Sequence, residues 1–124
     1  MAGLSFSVFK EKILDGSKRQ TIRSIRKNPI KESETLYIWW KQRSPEREKL
    51  GEASCTKVSD ILIIRDEMVN VSEQIIINNK DNLDNFAIAD GFSNWQKLVE
   101  FFESTHGLPF TGVLIEWDSI KTPF

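Results

Sequence analysis

The position of the helical pattern along the chain sets the strongest limit on its fold. The i, i+3, i+4, i+7 spacing of an amphipathic helix is clearest at Trp95, Leu98, Val99 and Phe102, and Ser93 is placed to cap that helix. Most of the chain before this helix consists of short segments that alternate in polarity and are separated by turns. Strands first and helices late, in a chain of 124 residues, predict a single α+β domain.

The alternating segments predict most of a sheet. Residues 35–42 give the strongest strand pattern, with bulky side chains on both faces, and residues 51–64 are rich in β-formers. Residues 110–117 end the chain as a further strand, and residues 69–78 predict one strand or two. Short strands with the helices gathered at one side are typical of a small barrel or a curved sheet.

The composition carries no marker of a membrane, metal or cofactor protein. No apolar run approaches the roughly 20 residues that span a bilayer, and no N-terminal leader pattern is found. Cys55 is the single cysteine, so no disulfide or cysteine metal site is expected, and a reducing cytoplasm is indicated. His106, the only histidine, is placed where it would end the late helix. No Walker loop or dinucleotide-binding motif occurs, so no cofactor is predicted.

Charge is divided unevenly between the two halves of the chain. Residues 1–57 contain 13 Lys and Arg against 7 Asp and Glu, whereas residues 58–124 contain 4 against 11. One interpretation is a basic face that binds an anionic partner such as nucleic acid. The alternative is that the two halves interleave in the fold and their charges pair. The sequence leaves both interpretations open.

Residues 16–23, GSKRQTIR, contain the densest group of candidate functional side chains. Gly16 ends a predicted short helix, and a basic strand follows it. On an extended strand Thr21 and Arg23 share one face, and Lys18 lies at the mouth of the strand, where its long side chain can turn inward. The group predicts either a polar pocket for a phosphate or a base edge, or a solvated edge strand.

A turn and a pair of tryptophans supply further candidates. Asp90, followed by glycine and phenylalanine before the late helix, is either a structural turn residue or a carboxylate that holds the basic strand's lysine. Trp39 and Trp40 point to opposite faces of a strand, so one is expected in the core and the other is a candidate stacking surface for a base, unless both are buried. Lys41 and Arg43, just beyond, are candidates for contact with backbone phosphate.

Together, residues 16–23 and the turn Asp90-Gly91-Phe92 resemble the ASCH family, the activating signal cointegrator homology domains. The first stretch is similar to the family signature G-x-K-x-x-T-x-R, and the second is similar to the acid-Gly-Phe turn before the family's last helix. The resemblance extends over residues 1–124 as one ASCH domain. It implies a small PUA-like β-barrel with helices packed at one side and a cleft lined by the signature.

The resemblance implies two alternative functions. PUA-like domains commonly bind RNA, so the first is a polar cleft for RNA or a nucleotide-like ligand. The second is an amidohydrolase acting on N4-acetylcytidine or a similar modified nucleoside, as in one bacterial subgroup. The lysine and threonine of that subgroup match Lys18 and Thr21, and Asp90 stands where the subgroup has glutamate. The predicted ligand-binding residues are Gly16, Arg23, Trp39, Trp40, Lys41 and Arg43.

Overall fold

The computed structural model describes residues 2–70 and 75–121 of the chain. These residues form seven strands and three helices, which confirms the predicted α+β class. Part of the strand region predicted at residues 69–78 lies outside the described residues. In chain order the elements are β1 (Ala2–Phe6), α1 (Lys10–Leu14), β2 (Gln20–Arg23), β3 (Thr35–Trp40), β4 (Glu48–Ile64), β5 (Glu67–Asn70), β6 (Ile75–Ile77), α2 (Lys80–Ala89), α3 (Trp95–Thr105) and β7 (Phe110–Trp117).

The strands form one sheet in the order β1-β3-β4-β5-β6, with β7 beside β4 and β2 beside β7. The β1–β3 pair is parallel and the remaining pairs are antiparallel. Because β4 is 17 residues long, its first part pairs with β3 and its second part pairs with both β7 and β5. Within residues 2–70 and 75–121 no strand pair joins β1 to β2. The described strands therefore do not form the closed barrel that the resemblance implied.

Two apolar clusters lie on the two faces of the sheet. The first packs α2 and α3 against the sheet and includes the predicted stripe of α3. The second contains Ile13 of α1 together with side chains of β1, β3 and β4. Leu114 belongs to the first cluster and Ile115 to the second, because neighbouring residues of a strand face opposite sides. The strand β7 thus contributes to both clusters.

A β-bulge moves β4 from one cluster to the other. Cys55 lies opposite Trp117 and Lys57 lies opposite Glu116, so β4 contains one residue more than β7 at this point. Cys55 packs in the second cluster, whereas Ile61, also at an odd-numbered position, packs in the first. The extra residue therefore reverses which side chains of β4 face each of the two clusters.

The helix ends follow the sequence with one correction. Asn94, and not Ser93, caps α3, since its side-chain oxygen accepts a hydrogen bond from the Lys97 amide at 2.9 Å. The helix ends at His106, and Gly107 follows with a left-handed φ of 81°, as the sequence predicts. No helix within the described ranges has the length and apolarity that crossing a membrane requires.

Candidate functional site

A cleft of about 780 Å³ opens at the seam where β1 and β2 are unpaired. It lies between the end of β1, the strand β2, the loop after β3, and the turn between α2 and α3. The two sequence motifs, some seventy residues apart, meet at this cleft. The predicted site residues that line it are Lys18, Thr21, Arg23, Lys41, Arg43 and Asp90.

Lys18 is almost fully buried beside the cleft, with 2% of its surface exposed. Its Nζ donates hydrogen bonds to the main-chain oxygens of Gln20 at 2.8 Å and Asp90 at 2.5 Å. The carboxylate oxygen Oδ2 of Asp90 is 3.7 Å from the same Nζ. The rings of Phe6 and Phe9 also lie near the ammonium group, with their centres 5.7 and 5.5 Å from Lys18 Nζ. Lys18 is therefore fixed in one place by the protein itself.

The turn that follows α2 brings Asp90 to this position. Asp90 is the C-cap residue of α2 and is buried, and its Oδ1 accepts a hydrogen bond from Gln20 Nε2 at 3.4 Å. Gly91 follows with a φ of 106°. A Cβ at Gly91 would lie 2.8 Å from a ring carbon of Phe9, so only glycine allows the turn and the ring to approach this closely.

The burial of Lys18 and Asp90 shifts both of their pKa values toward neutrality. Burial lowers the pKa of Lys18 from 10.5 to about 8, against the opposing effect of the Asp90 charge. Burial raises the pKa of Asp90 from 3.8 to about 6, and the Lys18 charge opposes that rise. Burial also lowers the pKa of Arg23. Perturbed groups of this kind that face a cleft mark it as a candidate functional site.

Thr21 and Arg23 share a face of β2, as the alternation of the strand predicts. Arg23 Nε donates to Thr21 Oγ1 at 3.1 Å, and Arg23 Nη2 donates to the main-chain oxygen of Ser5 at 2.8 Å. The guanidinium also lies over the ring of Phe6, 4.6 Å from its centre. Arg23 thus spans the seam between β1 and β2 and at the same time orients the hydroxyl of Thr21.

Three predicted ligand-binding residues, Gly16, Trp39 and Trp40, do not line this cleft. Gly16 has a φ of 85° directly after α1 and serves as the predicted turn residue. Trp39 and Trp40 are both half-buried, and neither is fully buried in the core. Trp40 packs against the second apolar cluster, and Lys10 Nζ lies 5.8 Å from the centre of the Trp40 ring. Trp39 and Trp40 do not reach the cleft because β3 lies inside the sheet, one strand away from it.

Three cleft residues have little sequence signal for their role. Arg26 lies in the loop after β2, where nothing in the local pattern indicates a site. Phe101 is next to the buried stripe of α3 and is 38% exposed, and its ring lies 5.4 Å from that of Phe92. His106 ends α3 as predicted, and the end of the helix places its ring on the cleft.

Comparisons of the chain with protein-family models, with curated proteins and with solved protein structures each found no match. The resemblance to the ASCH family therefore rests on the sequence motifs and stays a prediction. Within the part of the chain that the structure describes, no three His, Cys, Asp or Glu side chains are grouped so as to hold a metal ion. The fold and the cleft define an α+β domain with a buried lysine–aspartate pair beside an open cleft whose charged side chains are mostly cationic.

Proposed function

We propose that the cleft binds a nucleotide-like ligand, either free or as part of an RNA chain. The observation that supports this most directly is the balance of charge on the cleft walls. Asp90 is the one acidic side chain among the described residues that line the cleft. The basic side chains that line it are Lys18, Arg23, Arg26, Lys41 and Arg43.

The buried end of the cleft has the hydrogen-bonding groups that the edge of a base needs. Thr21 Oγ1 accepts from Arg23, which leaves the hydroxyl proton free to donate. Asp90 Oδ1 accepts from the side chain of Gln20, and Oδ2, which lies 3.7 Å from Lys18 Nζ, can accept a further hydrogen bond. Donors and acceptors side by side match the polar edge of a purine or a pyrimidine.

An aromatic wall next to these polar groups supports the same proposal. Phe92 and Phe101 lie with their ring centres 5.4 Å apart, and Phe9 meets Phe92 edge to face at 5.0 Å. Phe101 keeps part of its surface exposed toward the cleft. An aromatic side chain in this position can stack on a base whatever the identity of the base.

Under the same proposal the domain is a PUA-like module of the ASCH type. The α+β order of elements and the meeting of the two signature motifs at one cleft support this assignment. The open seam between β1 and β2 is the feature in which the fold departs from a closed barrel.

The test is a titration of labelled single-stranded and structured RNA, followed by fluorescence anisotropy at low and at moderate salt. We expect binding that weakens as salt rises, because cations on the cleft would release counterions from the RNA. Thr21→Val removes the hydroxyl and keeps the shape of the side chain, so it should weaken binding. Thr111→Val, at an exposed position of β7, is the matched control. Absence of binding at low salt, or equal binding by both variants, would contradict the proposal.

A second candidate function is hydrolysis of the acetamide of a modified nucleoside, and the lowered pKa of Lys18 favours it. In its neutral form Lys18 would accept the proton of Thr21 while Oγ1 attacks the amide carbonyl. Cleavage of the C–N bond would return that proton to the leaving amino group, and water would then release acetate from Thr21. No hydrogen bond joins Lys18 Nζ to Thr21 Oγ1 in the described residues, so direct transfer of this proton requires the two groups to come closer together.

Incubation with N4-acetylcytidine and chromatography of the released cytidine tests the second candidate. Asp90→Glu restores the glutamate of the resembled subgroup and moves the carboxylate about 1.5 Å further along the side chain. Since Asp90 Oδ2 is 3.7 Å from Lys18 Nζ, the longer side chain should close this gap and increase turnover. Thr21→Val should abolish it. Failure of both the wild type and Asp90→Glu to release cytidine would rule out this activity.

A further inference from the structure

Two guanidinium groups at the rim of the cleft have no carboxylate partner among the residues that the structure describes. Arg26 lies in the loop after β2 and Arg43 in the loop after β3, and both line the cleft. Neither forms an ion pair within residues 2–70 and 75–121. Lys41, which also lines the cleft, is by contrast neutralised by Glu46, with Nζ and Oε2 3.0 Å apart. The unbalanced positive charge of the rim is therefore concentrated on the two arginines.

Arg26 is held at the rim by the backbone of β1. Its Nη2 donates to the main-chain oxygen of Gly3 at 3.0 Å, which leaves its other N–H groups exposed. Arg26 also affects Arg23, which lies deeper in the cleft. Burial lowers the pKa of Arg23, the negative charge of Asp90 opposes this shift, and repulsion from Arg26 adds to it. An anion bound beside Arg23 and Arg26 would reduce the repulsion between their guanidinium groups.

Arg43 is part of a loop that two hydrogen bonds fasten to β1. The amide of Lys41 donates to the main-chain oxygen of Phe6 at 2.8 Å, and the amide of Gln42 donates to Ser5 Oγ at 3.0 Å. Lys41 has a φ of 45°, a left-handed conformation that residues other than glycine seldom adopt. Conformations of this kind cluster at ligand-binding sites, where the surrounding contacts stabilise them.

We propose that Arg26 and Arg43 bind a phosphate group of the ligand, so that the cleft takes a phosphorylated nucleotide in preference to a bare nucleoside. The inference rests on the proposed function, in which Thr21 and Asp90 face the base. Guanidinium groups suit this role because their forked N–H donors match the geometry of phosphate oxygens. The phosphate is either the terminal group of a free nucleotide or a diester of an RNA chain.

Isothermal titration calorimetry at low salt tests this assignment. The ligands are each of the four common ribonucleosides, its 5′-monophosphate, and a short oligoribonucleotide of the same base. We expect a phosphorylated form to bind about tenfold more tightly than the nucleoside, as charge-assisted hydrogen bonds provide. A gain with the monophosphate identifies a terminal phosphate as the group bound, and a gain only with the oligonucleotide identifies the RNA backbone.

The double variant Arg26→Gln/Arg43→Gln should lose this gain, so that it binds the phosphorylated form no more tightly than it binds the nucleoside. Arg47→Gln, in the same exposed loop as Arg43 but off the cleft, is the matched control and should keep the gain. Equal affinity for nucleoside and phosphorylated forms, or a gain that persists in the double variant, would overturn the phosphate assignment alone. Absence of binding by every ligand would overturn both this assignment and the proposed function. Melting temperatures verify that each variant is folded.

Discussion

Lys18 Nζ donates to the main-chain oxygen of Asp90 at 2.5 Å, while the carboxylate of the same residue lies 3.7 Å away. The backbone of the turn between α2 and α3 therefore positions the ammonium, and the carboxylate contributes mainly charge. Lys12 repeats the arrangement one residue further on, since its Nζ donates to the main-chain oxygen of Gly91 at 2.5 Å. Two lysines from the α1 region thus fasten one turn. A change of the Asp90 side chain can alter the charge of the site without releasing Lys18.

Lys18 should make the protein more stable as the pH rises from about 8 to 10.5. In this range the unfolded chain binds the proton that the folded state has released, because the pKa of Lys18 is 10.5 when unfolded and about 8 when folded. The difference corresponds to about 3 kcal/mol, at about 1.4 kcal/mol per pH unit. Urea unfolding across this range should show the rise, and Lys18→Met should remove most of it.

Lys97→Met is the control for this measurement, because the Lys97 side chain is 63% exposed. It should keep the rise in stability with pH. Asp90→Asn should make the rise begin at a lower pH and end at the same upper pH, since loss of the Asp90 charge lowers the folded-state pKa of Lys18 and leaves the unfolded value of 10.5 unchanged. An equal pH dependence in the wild type and in Lys18→Met would contradict the assignment of the rise to Lys18.

Gly91→Ala should destabilise the protein by roughly 1–3 kcal/mol and disturb the cleft. The φ of 106° is strained for alanine, and the added Cβ would lie 2.8 Å from the ring of Phe9. Gly107→Ala separates the two causes, because Gly107 also has a positive φ and has nothing within 4 Å of an added Cβ. Thermal unfolding should show a larger loss for Gly91→Ala. Equal losses would mean that contact with Phe9 adds nothing.

Ser59→Ala should stabilise the protein by about 1 kcal/mol, because burial deprives the Ser59 hydroxyl of its hydrogen bonds to water and the variant removes this group. Ser59 is 1% exposed, and its Oγ has no hydrogen-bond partner among the described residues. Chemical unfolding of the variant measures the change. Ser104→Ala, at an exposed helix position, should have almost no effect and serves as the control. A loss of stability in Ser59→Ala would show that the hydroxyl has a partner after all.

Arg23→Lys should cost roughly 1–3 kcal/mol of stability and weaken ligand binding, although the charge is kept. Arg23 donates from two different nitrogens to Thr21 and to Ser5, and a single ammonium cannot reproduce this geometry. Arg19→Lys is the control, since Arg19 is exposed and, among the described residues, its side chain donates only to the main-chain oxygen of Gly16. Unfolding and the RNA titration together measure the effect. Wild-type behaviour of Arg23→Lys would show that charge alone is needed.

Much of the framework could be predicted from the sequence, because the spacing of apolar residues indicates which face of a helix or strand is buried. The stripe of α3 and the ends marked by Gly16 and Gly107 agree with the structure. Alternation along β2 placed Thr21 and Arg23 together, and the position of Lys18 at the strand mouth allowed its side chain to turn inward. These features depend on neighbours within a few residues, so local pattern is sufficient.

The remaining parts of the site depend on contacts between distant segments. Phe9 has a φ of 65°, which propensity does not predict for an aromatic residue, and its ring occupies the space that Gly91 leaves free. Arg26 and His106 lie at the cleft, which opens where β1 and β2 are unpaired, and that seam is not evident from local sequence. The location of Trp39 and Trp40 away from the cleft could not be predicted, because the sequence does not tell whether β3 lies at the edge of the sheet or inside it.

The bulge in β4 restricts how this chain can change length during evolution. The first part of the strand is fixed by pairing with β3 and the second by pairing with β7. Loss of Thr56, within the bulge, would leave one of these parts with its polar side toward an apolar cluster. Insertions and deletions are thus expected in loops such as the one around Pro45, and homologous chains should preserve the number of residues from Cys55 to Ile61. Spacing at this point is a criterion for recognising kinship that does not depend on residue identity.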